Sequence, residues 1–340
     1  MLLRRPRLTF GLLILLIATL SSCQTIAYYT QAARGQAQII FTKKPIPEIL
    51  ANPSSPPQLK SQLRLARELV AFAETELGLP SSGSYAHYAD LKRPHLSYIV
   101  YAAPELSLEP KTWTYPIIGK QDYRGFFKRK DAEKLIAKLQ SQGYETYLGA
   151  TNAYSTLGWF DDPILNTFVN YPEADLAELI FHELTHHRYY KSGNTDLNEA
   201  LAEVVAREGT RRWLKSKNKH TALANYELRL KRRSLIRSQI TSTTEALAEL
   251  YQSDLPTPQK RNRKSLLINQ LRTNISTLYQ GWQQRSPNFL SSPTTNARLI
   301  AFTTYEAHIP TLEKILTDSN HNLETLFNNL PEVSNPVPNQ

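Results

Sequence analysis

The chain reads as an α+β protein, mostly helical, with one small sheet. Three observations predict this. Apolar residues recur at three- and four-residue steps from Leu59 to Leu77. Short aromatic and β-branched runs crowd the stretch from Ser97 to Leu148. Helical periodicity then dominates from Pro172 to Trp282. At 340 residues and 41% hydrophobic content, the chain can bury a substantial core, in one large domain or two coupled ones.

The elements follow in order. Arg4, Arg5 and Arg7 precede an uncharged apolar run, Leu8 to Leu20, which is short of the roughly 20 residues that a spanning helix needs. Residues 1–22 therefore suit a secretory signal. Leu20-Ser21-Ser22-Cys23 resembles the bacterial lipobox, with Cys23 the residue that takes the lipid. Cys23 is the only cysteine, so no internal disulfide forms, and its position favours lipidation. Gln24 rather than Asp follows it. By resemblance to Gram-negative lipoproteins this points to a lipid-anchored protein of the cell envelope, on the outer membrane facing the periplasm. More than one acyl chain would make that anchor stable.

Residues 23–57 read as an N-terminal helix from Ile26 to Phe41 and a Pro-rich extended connector. Residues 58–220 form the core, with the amphipathic helix ended by Gly78 and Pro80. Strands are expected at Ser97–Ala103, Thr112–Ile118 and Tyr144–Leu148, with a helix from Lys130 to Gln142 before the last. A turn-rich passage leads to helices at Pro172–Lys191 and Leu197–Lys215. Residues 221–285 form a long charged helical hairpin, expected to protrude. Residues 286–340 add one or two helices packing on the core. The net charge of +10 lies mostly in the hairpin stretch without interleaved aromatics, which argues against a nucleic-acid groove and suits an acidic surface such as anionic lipid or cell-wall polymer, with a cell-envelope protein as a candidate partner of the hairpin.

The chemistry concentrates in Phe181-His182-Glu183-Leu184-Thr185-His186. Two histidines four apart on a helix project from one face, about one turn apart. That spacing lets two ring nitrogens reach one Zn2+, with Glu183 beside the open position as general base. Leu176, Ala177, Ile180, Phe181 and Leu184 lie on the side away from the histidines, so the packing face and the ligand face separate. Asp175, Leu179 and Tyr189 share the histidines' face, which makes Asp175 a candidate to support a ligand. Asn170 and Glu173 have capping-box spacing, and Gly193 marks a stop.

A catalytic zinc takes a third protein ligand and a water. Glu199 and Glu203 stand four apart, on a face lined by Ala202 and Ala206 that permits close helix approach. Glu199 alternatively caps its own helix with Asp196, and Asp196, Glu203 and Glu208 are rival ligands. His187 points about 100° away from His186. Tyr189, Tyr190 and Tyr305 are candidate donors to a developing oxyanion, and the segment Tyr144 to Gly158 could pair with an extended substrate.

The lipobox, Tyr28-Tyr29-Thr30-Gln31-Ala32-Ala33-Arg34-Gly35-Gln36, Tyr123-Arg124-Gly125-Phe126-Phe127, the segment Ala153 to Pro163, the His182 helix, Asn198-Glu199-Ala200 and Asn296-Ala297-Arg298-Leu299 together resemble a family of bacterial lipoproteins described as predicted aminopeptidases. The resemblance implies zinc-dependent hydrolysis of peptides and a gluzincin-like core. In that arrangement Glu199 is the third ligand, and Glu203, one turn later, orients a ligand histidine. The Gly-x-Met-Glu-Asn run by which gluzincin aminopeptidases hold a substrate amine is missing, since the only methionine is Met1. Amine recognition falls to other acids, Asp161, Asp162 or Glu203. The alternative from another class is a lipoprotein scaffold with a structural or vestigial zinc site.

Overall fold

The computed structural model describes residues 28–115, 119–153, 161–285, 293–303 and 308–330. The described residues open with helix α1 (28–42), strand β1 (Lys44–Pro45), α2 (Ile46–Ala51) and α3 (Pro57–Glu76). Strands β2 (His87–Ala89), β3 (Ser97–Pro104), β4 (Trp113–Tyr115), β5 (Gly119–Gln121) and β6 (Tyr123–Phe126) follow. Helix α4 (Arg129–Ser141) leads to β7 (Tyr144–Thr151) and β8 (Ile164–Leu165). The remainder is helical: α5 (Glu173–Arg188), α6 (Thr195–Ser216), α7 (His220–Gln252), α8 (Thr257–Gly281), α9 (Asn296–Thr303), α10 (Ile309–Asp318) and α11 (Leu323–Asn328). The protein is α+β and mostly helical, with small sheets ordered β6-β3-β7, β1-β2-β8 and β4-β5.

Several elements differ from the sequence reading. The Pro-rich connector holds α2, because Pro47 sits in the first turn, where its missing N–H is not needed, and Ile46 and Ile49 bury in the core. Strands β2 and β8 are too short to leave a period-two trace, and β5 and β6 carry Gly, Lys and Arg. Among the described residues, three helices rather than one or two fill the C-terminal segment. Residues 116–118, the last of the strand expected at Thr112–Ile118, lie outside the described residues.

The main core is the packing of α3, α5 and α6. Leu63, Leu69 and Ala73 meet Leu176, Ile180, Phe181 and Leu184, then Leu201 and Val205, all fully or nearly fully buried. Burial of each large apolar side chain contributes roughly 1.5–3 kcal/mol. Phe72 bridges the helices, with its ring 6.0 Å from Phe181 and 5.3 Å from Trp213. Side-chain alternation splits the faces of the larger sheet. Val100, Ala102 and Phe126 pack on Ala132 and Leu139 of α4, while Tyr101 and Ala103 pack on Ala297 and Ile300 of α9.

The hairpin does not protrude free of the body. Its own seam is apolar, with Ile240 and Leu247 of α7 against Leu271 and Ile275 of α8. Arg229, Arg233 and Arg237, each four residues on, put one face of α7 against Asp175 (2.7 Å), Glu178 (2.7 Å) and Glu203 (3.1 Å). From α8, Arg261 pairs with Glu105 and Lys264 with Glu145. Charge that looked like a solvated surface is thus partly spent on internal pairs. No described helix is long and apolar enough to cross a membrane.

Candidate metal centre

Helix α5 carries its apolar face, Leu176, Ala177, Ile180, Phe181 and Leu184, at 0% exposure into the core, which turns His182 and Glu183 towards a cleft. The capping box from Asn170 to Glu173 does not form. Pro172 is the N-cap and makes no side-chain cap. Glu173 instead accepts a 2.8 Å bond from Trp213 Nε1 and pairs with Lys219. The helix ends at Arg188, five residues before Gly193, which has φ +79° in the turn.

The turn between α5 and α6 is closed by asparagines. Asn194 Oδ1 caps α6 by accepting from Leu197 N at 3.2 Å. Asn198 Oδ1 accepts from Lys191 N at 2.8 Å, and its Nδ2 donates to Lys191 O at 2.9 Å. Because Asn194 is the cap, the Glu199 carboxylate is left to face α5. The helices approach closely at Gly209, where an added Cβ would lie 2.8 Å from the Phe181 ring and 2.6 Å from Leu77.

Glu199 lies between the two histidines. Its Oε2 is 3.2 Å from His182 Nε2 and its Oε1 is 3.5 Å from His186 Nε2. The imidazole rings stand 5.0 Å apart, at 86°. One donor atom from each of the three residues lies within 4.8 Å of the others, so this group could hold a metal ion. The donor set fits zinc on chemistry and spacing. Tetrahedral bonds of about 2.1 Å separate donors by about 3.4 Å, close to the two distances found. His186 is 7% exposed, its Nε2 is the nitrogen turned towards Glu199, and its Nδ1 is buried without a hydrogen-bond partner.

The electrostatics match. Burial opposes charge on His182, but the hydrogen bond and charge of Glu199 prevail and raise its pKa to about 9. Burial and the neighbouring His182 depress His186 to about 4. Burial works against ionised Glu199, yet the two histidines hold its pKa below the ordinary value. Burial raises Glu183 to about 7, against the pull of His182 and with the help of Glu199 and Asp162. A carboxylate near neutrality can take and return a proton.

Two residues near Glu183 were not singled out, or not in this role, by sequence reasoning. Tyr85 is 5% exposed with φ +65°, a conformation rare outside glycine, and its N–H donates to Asp162 O at 2.6 Å. Burial, then Glu183 and Asp162, push its hydroxyl well above the ordinary tyrosine value, so it stays a donor. Asp162 is 8% exposed and lies behind Glu183 electrostatically, whereas Asp161 is exposed. A left-handed tyrosine leaves no trace in residue spacing.

The cleft has a volume of about 680 Å³ and is lined by the metal group, Tyr190, the β6 residues Tyr123 and Gly125, and α1. Burial and the charge of Glu199 raise Tyr123 to about 12. Of the segment Tyr144 to Gly158, Thr151 and Ala153 line the cleft. Asp175 and Glu203 meet arginines: Asp175 pairs with Arg229, and Glu203 with Arg207 and Arg237. Glu208 pairs with Arg212 and His321. Asp196 stands outside the metal-binding group, and His187 lines a separate hollow with Gly78 and Pro80. Tyr189 packs against the main core. Tyr305, Cys23, the signal segment 1–22 and residues 154–160 lie outside the described residues.

Two histidines and a glutamate on one helix, met by a glutamate of the next within a cleft of about 680 Å³, are the donor and acid set of a hydrolase-type site. Residues 27–338 match the model of the family described as "Putative aminopeptidase", and the chain belongs to that family. Neither the curated proteins nor the solved structures contain a match to it. Family membership supports a peptidase with a peptide substrate.

Proposed function

We propose that this member of the family is a zinc-dependent aminopeptidase of the bacterial cell envelope, with a gluzincin-like core, tethered to the outer membrane by a lipid on Cys23. The observation that carries the zinc assignment is the donor triangle of His182 Nε2, His186 Nε2 and the Glu199 carboxylate, whose 3.2 and 3.5 Å separations suit one tetrahedral ion. Bound zinc would supply a Lewis acid that polarises the scissile carbonyl and lowers the pKa of water.

The chain's own residues do the rest. Glu183, poised near neutral pH, takes the proton from the attacking water and returns it to the departing amine. Tyr85, kept protonated by burial, leaves an uncharged hydroxyl within the field of Glu183. Tyr123 and Tyr190, both on the cleft wall, are hydroxyl donors for the developing oxyanion, alongside Tyr305. The tether is supported by the run Leu20-Ser21-Ser22-Cys23 after a short apolar segment. Cys23→Ser should release the protein to the soluble fraction, and unchanged membrane association would remove the lipid anchor.

Replacing Glu183 by Gln tests the chemistry. Zinc content should be retained while kcat on peptides falls about 10²–10⁴-fold. Turnover that survives Glu183→Gln would remove Glu183 as the base, and no turnover by the native zinc-loaded protein would favour a scaffold with a structural metal.

A further inference from the structure

The run Tyr28 to Gln36 takes no part in the chemistry above, yet it lies against the cleft. Its helix, α1, is fastened to β6 at three positions on one face, spaced three and four apart. Tyr28 packs edge-on to Phe126 with ring centres 5.7 Å apart, and Arg124 stacks on Tyr28 at 4.0 Å. Gly35 is buried where an added Cβ would lie 2.1 Å from the Phe127 ring, so α1 is pressed against the strand's end. Between them, Gln31 Oε1 accepts from Phe127 N at 3.0 Å, and Gln31 Nε2 donates to Gly125 O at 3.5 Å.

Strand β6 is an edge of the order β6-β3-β7, with its inner side paired to β3. Gly125 and Phe127 therefore turn those groups outward, and by the two-residue alternation so does Tyr123. An outward edge beside a peptidase cleft is where an extended substrate adds as a strand. The Gln31 carboxamide is itself an amide. It bonds one carbonyl and the N–H two residues on, as a residue of an added parallel strand would. The ladder is thus already occupied from Gly125 onward, and the position left beside the metal group is Tyr123, whose hydroxyl feels the charge of Glu199.

Resting on the peptidase reading, we infer that Gln31 is a specificity-determining residue: it fills the β6 ladder at Gly125 and Phe127, stops an extended peptide there, and confines the cleft to a chain end. The substrate class is short or frayed peptides presenting a terminus, rather than internal segments of a longer chain. This supplies end-selection without the missing Gly-x-Met-Glu-Asn run.

The test compares two fluorescent peptides that share one core sequence, one with free ends and one extended at both ends, acetylated and amidated. Full-length zinc-loaded protein is assayed for turnover. The same protein carrying Glu183→Gln is assayed for binding by anisotropy. Each is tested with Gln31, Gln31→Ala and the similarly sized Gln31→Met, after circular dichroism confirms folding. If Gln31→Ala does not fold, Gln31→Met decides alone. The expected result is a rise of about tenfold or more in the blocked-to-free ratio, the scale of two ladder hydrogen bonds. A shifted binding ratio with no turnover by the native chain would keep the stop and overturn the peptidase. Turnover with a ratio unchanged within about twofold, well inside a single hydrogen bond's effect, would overturn the stop and keep the peptidase. No binding of either peptide by any form would overturn both.

Discussion

Glu183 and Glu199 on the one hand, and Asp175, Glu178 and Glu203 on the other, are carboxylates of the same two helices with opposite partners. The first two face imidazoles and a cleft, and no arginine is paired with either among the described ion pairs. The other three are each taken by an arginine of α7. The difference sorts the acids by work. A carboxylate whose charge is met by guanidinium is spent on holding helices together. Of the two beside imidazole, Glu199 keeps its charge for a ligand and Glu183 keeps affinity for a proton.

Removing a cleft acid should give the largest effect. Glu199→Ala deletes the carboxylate between the histidines, and zinc affinity should fall by at least about 10²-fold, since even residues behind metal ligands contribute 10–100-fold. Chelator competition measures it, and retention of tight zinc would place the third ligand elsewhere.

The pH dependence comes next. In the metal-free protein His182 holds its proton up to a pKa of about 9, and zinc must displace it. Apparent zinc affinity should therefore climb about tenfold per pH unit from pH 7 towards 9 and level off above. The corresponding stability has a definite sign. The folded pKa lies above the ordinary 6.5, so the Glu199–His182 contribution is complete below pH 6.5 and disappears as pH rises through about 9. Thermal melts of chelated protein should follow that fall, and a zinc affinity flat across pH 7–9 would contradict the pairing.

The smallest effect on zinc should come from the arginine-paired acids, and this is where the comparison is easiest to break. Glu203→Gln gives up charge-assisted bonds to Arg207 and Arg237 and should lower stability by about 1–3 kcal/mol. Zinc affinity should change by less than about tenfold. A loss in the 10–100-fold range would return Glu203 to the role of orienting a ligand histidine.

Much of the site was legible in the chain. The His182–His186 spacing and the apolar phase of Leu176, Ile180, Phe181 and Leu184 are local, and a helix converts such spacing directly into faces. Glu199 was one of several acids within reach, and its helix could equally have begun with Asp196 as cap. Asp175 and Glu203 looked like histidine supports because they occupy the right helical phase, but phase says nothing of what lies opposite. Arg229, Arg233 and Arg237 lie 47 or more residues beyond His182, and their spacing alone marks a charged stripe with no named partner.

The sequence by itself determined the mostly helical α+β class, the helix with histidines at metal-ligand spacing and the separation of its two faces, because each depends on residues within one or two turns. Tertiary structure decided which acid joins the histidines, through the Asn194 cap, the Asn198 clasp and the close approach at Gly209. It also decided that α1 would lay Gln31 on the edge of β6. The physical reason is common to both. Side-chain spacing is written along the chain, but the distance between two elements is set by packing, by the absence of a Cβ at a contact and by hydrogen bonds across a turn.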